Sequence, residues 1–372
     1  MWTTAFVVLA AGVGIGAGIG WRALALESTV EASHQLSAAS DKLSDVTDLR
    51  GIALDKAHAS IASLTEYTQH PRPDYLGDAT AKALAAADAD LTAKSKNLTQ
   101  ATFDVPKVPA VGLDLLPWTV FADVQHKQAL ARQEDALRQK RAAELAALVA
   151  AQKAVTKSYA AVYQELAAHG EQVLTADVSA TYESKIPLRH AIDDGKSDVV
   201  QSQSNGTELL TIMTAVDGVN AAQAAGEAAK QDPAYPTRAQ IEAYARSIAH
   251  GVTLDFEWHK EVSGLGDDWY SGTTQYRYDD GGWATIDLNF SIQEGWTYGD
   301  VNAKALVTHE VGHSQVVRPE CRTLFDGPAF HQNDEVWATA WAISMGFDVP
   351  GSGIEAYGRP SDEQIAVAGQ CR

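Results

Sequence analysis

Apolar residues recur along the first two-thirds of this chain at the spacing that keeps one stripe on one side of an α-helix. Leu36, Leu43, Val46, Ile61 and Leu64 follow it, as do Leu130, Leu137, Leu148, Val155, Tyr159, Val162 and Leu166. The pattern predicts two unusually long helices, over residues 23–68 and 119–168. Long amphipathic helices bury their stripes against one another, so antiparallel hairpins or a coiled-coil bundle is expected across 23–235 as a stalk. Breaks fall at Pro71-Arg72-Pro73, from Pro106 to Pro117, near Gly170, and from Asp232-Pro233 to Pro236. LTEYTQH (64–70) and YQELAAH (163–169) echo each other weakly, as two helical hairpins of common origin would.

The pattern differs at both ends. Trp2 to Trp21 carries no charged side chain. Twenty residues at about 1.5 Å each span roughly the 30 Å of a bilayer's hydrocarbon core, and tryptophan suits both of its interfaces. Ala23-Leu24-Ala25 offers a signal-peptide cleavage site, but no Lys or Arg precedes the apolar run, which favours a retained anchor over residues 1–22. The body after it is expected outside the cytoplasm, as a single-pass membrane protein. Gly12, Gly16 and Gly20 share a helix face, so self-association through this segment, or through the stalk, is open.

Beyond residue 236 strands enter. Val252, Leu254, Phe256 and Trp258 alternate within GVTLDFEW (251–258). TQYRY (274–278) and WATIDLNF (283–290) flank Asp279-Asp280-Gly281-Gly282, a hairpin signal. Helices are predicted over 237–250, from an Asp300 N-cap to about 317, and from an Asn333 N-cap to a stop at Gly346. Six of the nine tryptophans lie in this stretch, as a filled core requires. The expected fold is therefore an α+β domain over 236–372, preceded by an all-α stalk and a transmembrane helix.

Composition narrows the function. A net charge of −19 with no basic cluster argues against binding nucleic acid. Cys321 and Cys371 fit no zinc spacing, and in an oxidising compartment they predict one disulfide clipping the C-terminal tail.

The chemistry concentrates in His309-Glu310-Val311-Gly312-His313. On a helix, residues four apart stand one above the other, so two imidazoles can share one zinc ion while Glu310 reaches a water as general base. A third ligand is needed. Glu335, in the first turn of the next helix, is favoured, with His331 and Asp334 as rivals.

HEVGH (309–313) together with Glu335 in DEVWATAWA (334–342) resembles the gluzincin branch of the zincin metallopeptidases. The resemblance covers about residues 237–372 and implies a zincin-like fold, a Zn2+ cofactor, ligands His309, His313 and Glu335, and catalytic Glu310. It also implies a substrate-pairing edge strand at 284–290, before the active helix. Where the family often has an acidic residue orienting a histidine, this chain has Thr339. His331 and Tyr357 are candidates to stabilise the transition-state oxyanion. The expected activity is hydrolysis of peptide bonds in a peptide or protein substrate. The alternative is a non-catalytic envelope or surface helical protein with a structural or degenerate metal site.

Overall fold

The computed structural model describes residues 15–69, 72, 75–99, 116–201, 203–266 and 269–372. Six helices come first: α1 (Ile15–Gln69), α2 (Asp78–Ser95), α3 (Pro117–Ala176), α4 (Tyr182–Val200), α5 (Gly206–Ala229) and α6 (Tyr235–Ile248). Strands β1 (Thr253–His259), β2 (Gly272–Arg277) and β3 (Trp283–Asn289) follow. Helices α7 (Phe290–Tyr298), α8 (Val301–Ser314), α9 (Pro319–Phe325), α10 (Asp334–Ser344), α11 (Ile354–Tyr357) and α12 (Asp362–Ala368) complete the chain. The chain divides into two compact units, Met1–Glu165 with Gly195–Leu209, and Leu166–Asp194 with Leu210–Arg372.

In the first unit the long helices form as their periodicity predicts. Ala25, Ala32, Leu36, Leu43, Leu54, Ala57 and Leu64 line the buried seam of α1. Polar groups share that seam in pairs. Ser40 Oγ donates to Glu134 Oε2 at 2.7 Å, Arg141 donates to Thr47 Oγ1, and Arg50 Nε donates to Glu144 Oε2 at 2.5 Å. Each pair is 94 residues apart, and a constant offset means that α1 and α3 run parallel. The antiparallel partner of α1 is the short α2: it starts just past the end of α1, and Arg50 Nη1 donates to Thr99 just beyond its end.

In the second unit β1 and β3 pair in parallel, Phe256 opposite Ile286, and β2 pairs antiparallel with β3, Thr274 opposite Ile286. The order β1-β3-β2 puts β3 in the centre. Its side chains Ala284, Ile286 and Leu288 are fully buried against Val307 and Val311 of α8, with Trp337 and Trp341 of α10 behind them. Burying a Trp or Leu side chain gains roughly 1.5–3 kcal/mol, so this aromatic and aliphatic layer sets the platform on which α8 lies. Asp300 and Asn333 cap α8 and α10, accepting from the backbone of Asn302 and Val336.

Three expectations are corrected. Among the described residues the chain is mostly helical with one small three-stranded mixed sheet, so the α+β class with a leading transmembrane helix does not hold. Among the described residues no helix is long and apolar enough to cross a membrane, which overturns the single-pass membrane location. Of the expected span at 1–22, residues 1–14 lie outside the described residues; the described part of α1 carries Arg22, Glu27 and Glu31 directly after Trp21. Finally, of residues 284–290 expected as an edge, 284–289 belong to the central strand and Phe290 opens α7, and the edge beside α8 is β2.

Cys321 and Cys371 are brought to disulfide distance, with Cα atoms 5.6 Å apart across 50 residues. Replacing both with Ser is expected to lower the unfolding free energy by about 2–4 kcal/mol, by freeing that loop in the unfolded chain. Urea denaturation under oxidising conditions checks this; an unchanged midpoint would mean that the bridge does not close.

Candidate metal centre

Helix α8 carries His309, Glu310 and His313 on its buried turns, and α10 crosses it closely at Gly312. A Cβ on Gly312 would come within 3.1 Å of the Ala338 backbone. The Trp337 indole donates to the Gly312 carbonyl at 2.9 Å and locks the crossing. The first turn of α10 thereby places Glu335 over both histidines. His309 Nε2 lies 3.2 Å and His313 Nε2 3.4 Å from Glu335 Oε2, and the two Nε2 atoms are 3.1 Å apart.

The far side of each ring decides what Nε2 can do. His309 Nδ1 lies 3.0 Å from the carbonyl oxygen of Ser352, which can only accept, so Nδ1 carries the proton and neutral Nε2 is a lone pair. The Ser352 turn is held to α8 by Gly351 N donating to Asn302 Oδ1 at 3.0 Å. His313 Nδ1 sits 2.9 Å from Asp334 Oδ1, an ion-pair contact without the alignment of a hydrogen bond; it turns Nε2 of that ring inward as well. Two ring nitrogens and a carboxylate thus converge on one point, where a cation, a proton or a metal ion, must join them. Within the cluster burial opposes charge on His313, but Asp334 and Glu335 overcome it and push its pKa up to about 10. Burial likewise opposes charge on Glu335, yet the His309 and His313 rings beside it hold it well below the usual carboxylate range. Both imidazoles are buried whereas Glu335 is 41% exposed, so the cluster opens to solvent on that side.

Glu310 points the other way around α8, toward the edge strand. Thr274 Oγ1 lies 2.8 Å from its Oε2 and 2.9 Å from its carbonyl oxygen. Glycine at 272 makes room for the carboxylate, because a Cβ there would come within 2.9 Å of Oε1. Burial, the largest influence, raises the Glu310 pKa. A cleft of about 650 Å³, lined by Leu265, Trp269, Tyr270, Leu306 and Tyr357, opens onto His309 and Glu310.

The structure brings together His309, His313 and Glu335 as one metal-capable group, with Glu310 alongside. Asp334 stands behind His313 rather than among the three. His331 is an exposed residue on a turn with φ of 48° and lies outside the group. Tyr357 is at the site, stacked on His309 with centroids 6.0 Å apart. Burial and the Glu335 carboxylate push its pKa up to about 12, so it is a hydroxyl donor near neutrality. Nothing local in the chain points to the Ser352 carbonyl, which supports His309 from 43 residues away. Gly353, with φ of 98°, was the available signal: any Cβ there would meet the His309 ring at 2.8–2.9 Å.

A second metal-capable group, Glu257, His259 and Asp287, lies across the parallel pair β1 and β3. Its His259 Nε2 is 3.2 Å from Glu257 and 4.0 Å from Asp287, and Glu257 and His259 are about half exposed. Nothing buried fixes those side chains, so the His309 group is the better-built of the two. Comparison with protein-family models, with curated proteins and with solved structures finds no match to this chain.

Asp334→Asn and Gly353→Ala test the supports without replacing a candidate ligand. Each is expected to weaken metal binding by about 10–100-fold while leaving the circular dichroism spectrum unchanged. Competition titration against a chromophoric chelator reads this, and full affinity in both variants would mean that Asp334 and the Ser352 turn do not position the rings.

Proposed function

We propose that this chain is a zinc-dependent peptidase. What carries the proposal is the convergence of His309 Nε2, His313 Nε2 and the Glu335 carboxylate, both rings fixed from behind, beside a buried carboxylate that is not among the three. Two imidazoles and one carboxylate are a zinc donor set that leaves a position open for chemistry. The HEVGH motif with its downstream Glu335 supports the same assignment by its resemblance to gluzincins. Zinc held there supplies Lewis acidity, activating water at neutral pH and polarising a carbonyl.

The chain's own groups do the rest. Glu310 takes a proton from the attacking water at its carboxylate and delivers it to the departing amine nitrogen. Thr274 orients that carboxylate through Oε2, leaving Oε1 toward the Gly272 side of the cleft. Tyr357 donates its hydroxyl to the oxygen that becomes negative as the carbonyl is attacked. Substrate reaches the site as an extended segment beside β2, the edge strand that flanks α8.

Glu310→Gln is expected to retain zinc and lose hydrolysis by at least about a hundredfold, because an amide cannot accept the proton. Glu335→Gln, His309→Ala and His313→Ala are each expected to lose most of the zinc as well. Zinc content by elemental analysis, set beside cleavage of an unfolded protein substrate, separates the two phenotypes. An active Glu310→Gln protein, or full zinc in the histidine variants, would overturn the proposal and favour a scaffold with a non-catalytic metal site.

A further inference from the structure

The opposite edge of the sheet presents a second concave site. A cavity of about 580 Å³ in the C-terminal unit is walled by Thr253, Leu254, Asp255 and Phe256 in unbroken succession. Successive side chains of a strand point to opposite faces, so four in a row line one cavity only when it runs along the strand's edge. β1 is hydrogen-bonded to β3 on one side alone, and its other edge faces this cavity. A free edge with room beside it is a template for an added strand.

The charge of the walls says which strand. In a chain of net charge −19, the cavity lining has five cations, on α4, on α6 and at Lys230, against the two carboxylates of Glu242 and Asp255. Asp255 is already engaged, accepting from the backbone N–H groups of Tyr182 and Glu183 at 2.8 and 2.9 Å. Arg238, Arg246 and Lys230 are ion-paired to neighbouring acids. Among the described residues no ion pair engages Lys185 or Arg189, and the Arg189 guanidinium lies over the Tyr182 ring at 4.4 Å. Both cations line the cavity, where Lys185 acts on the Asp255 carboxylate by charge from beyond salt-bridge distance.

We propose that this cavity binds an acidic peptide segment of a partner protein, in extended form, as a further strand on β1. Backbone pairing with the edge supplies register, and acidic side chains against Lys185 and Arg189 supply selectivity. The site is separate from the metal centre, which lies by the opposite edge strand.

The test uses full-length protein carrying Glu310→Gln, to exclude hydrolysis, and a fluorescein-labelled peptide alternating Glu and Val. Fluorescence anisotropy is expected to show saturable binding, weakened at least about tenfold by Lys185→Glu with Arg189→Glu. The same loss is expected when Gln replaces every Glu, and when alternate peptide nitrogens are N-methylated. The last two comparisons leave the protein unchanged, so they do not depend on how the variant folds. No binding at about 1 mM protein, or equal binding of the Gln or N-methylated peptide, would overturn the proposal. So would sedimentation showing that the protein self-associates and that the charge reversal abolishes it, since the occupant would then be a second copy of this chain.

Discussion

The close passage of α10 over α8 at Gly312 is the contact on which the site depends. Glycine there lets the Ala338 backbone approach, the Trp337 indole fastens the crossing through the Gly312 carbonyl, and Glu335 arrives above the two imidazoles as a consequence. A larger residue at 312 would push the helices apart and carry the carboxylate away from the rings, although all three ligands remained in the sequence. The core beneath serves the same end. Ile286 and Leu288 of β3 hold α8 from below, and Trp337 and Trp341 hold α10.

Placing two histidines and several carboxylates in and around a core has an electrostatic cost that an apolar core avoids. Each polar group here has a definite counterpart. The Ser352 carbonyl fixes His309, Asp334 stands behind His313, and Thr274 faces Glu310. What these counterparts leave over is directed inward: two imidazole Nε2 atoms and the Glu335 carboxylate, meeting within hydrogen-bond distance of one another. A divalent cation would resolve that convergence, and the exposed flank of Glu335 leaves it a way in.

Much of this was legible in the sequence because local rules decide it. The long helices follow from apolar spacing, the β2–β3 hairpin from Asp279-Asp280-Gly281-Gly282, and the caps of α8 and α10 from Asp300 and Asn333. The pairing of His309 with His313 follows from helical geometry alone. Long-range partners were not legible. Nothing local says that α1 and α3 run parallel, because direction is set by the buried Ser40–Glu134 and Arg50–Glu144 pairs across 94 residues. Strand order was misjudged for the same reason: β3 looks like an edge from its neighbours in sequence, yet β1 returns to cover its other side. The apolar N-terminal run suggested a membrane span, but the described part of α1 soon becomes a charged helix with a coiled-coil seam.

Zinc-edge anomalous diffraction from crystals grown with one equivalent of zinc tests the central claim most directly. The account predicts a single strong peak about 2.0–2.2 Å from His309 Nε2, His313 Nε2 and a Glu335 carboxylate oxygen, with Glu310 near it but outside bonding distance. A peak coordinated by Glu310, or one seated on Glu257, His259 and Asp287 while the α8–α10 site stays empty, would contradict it.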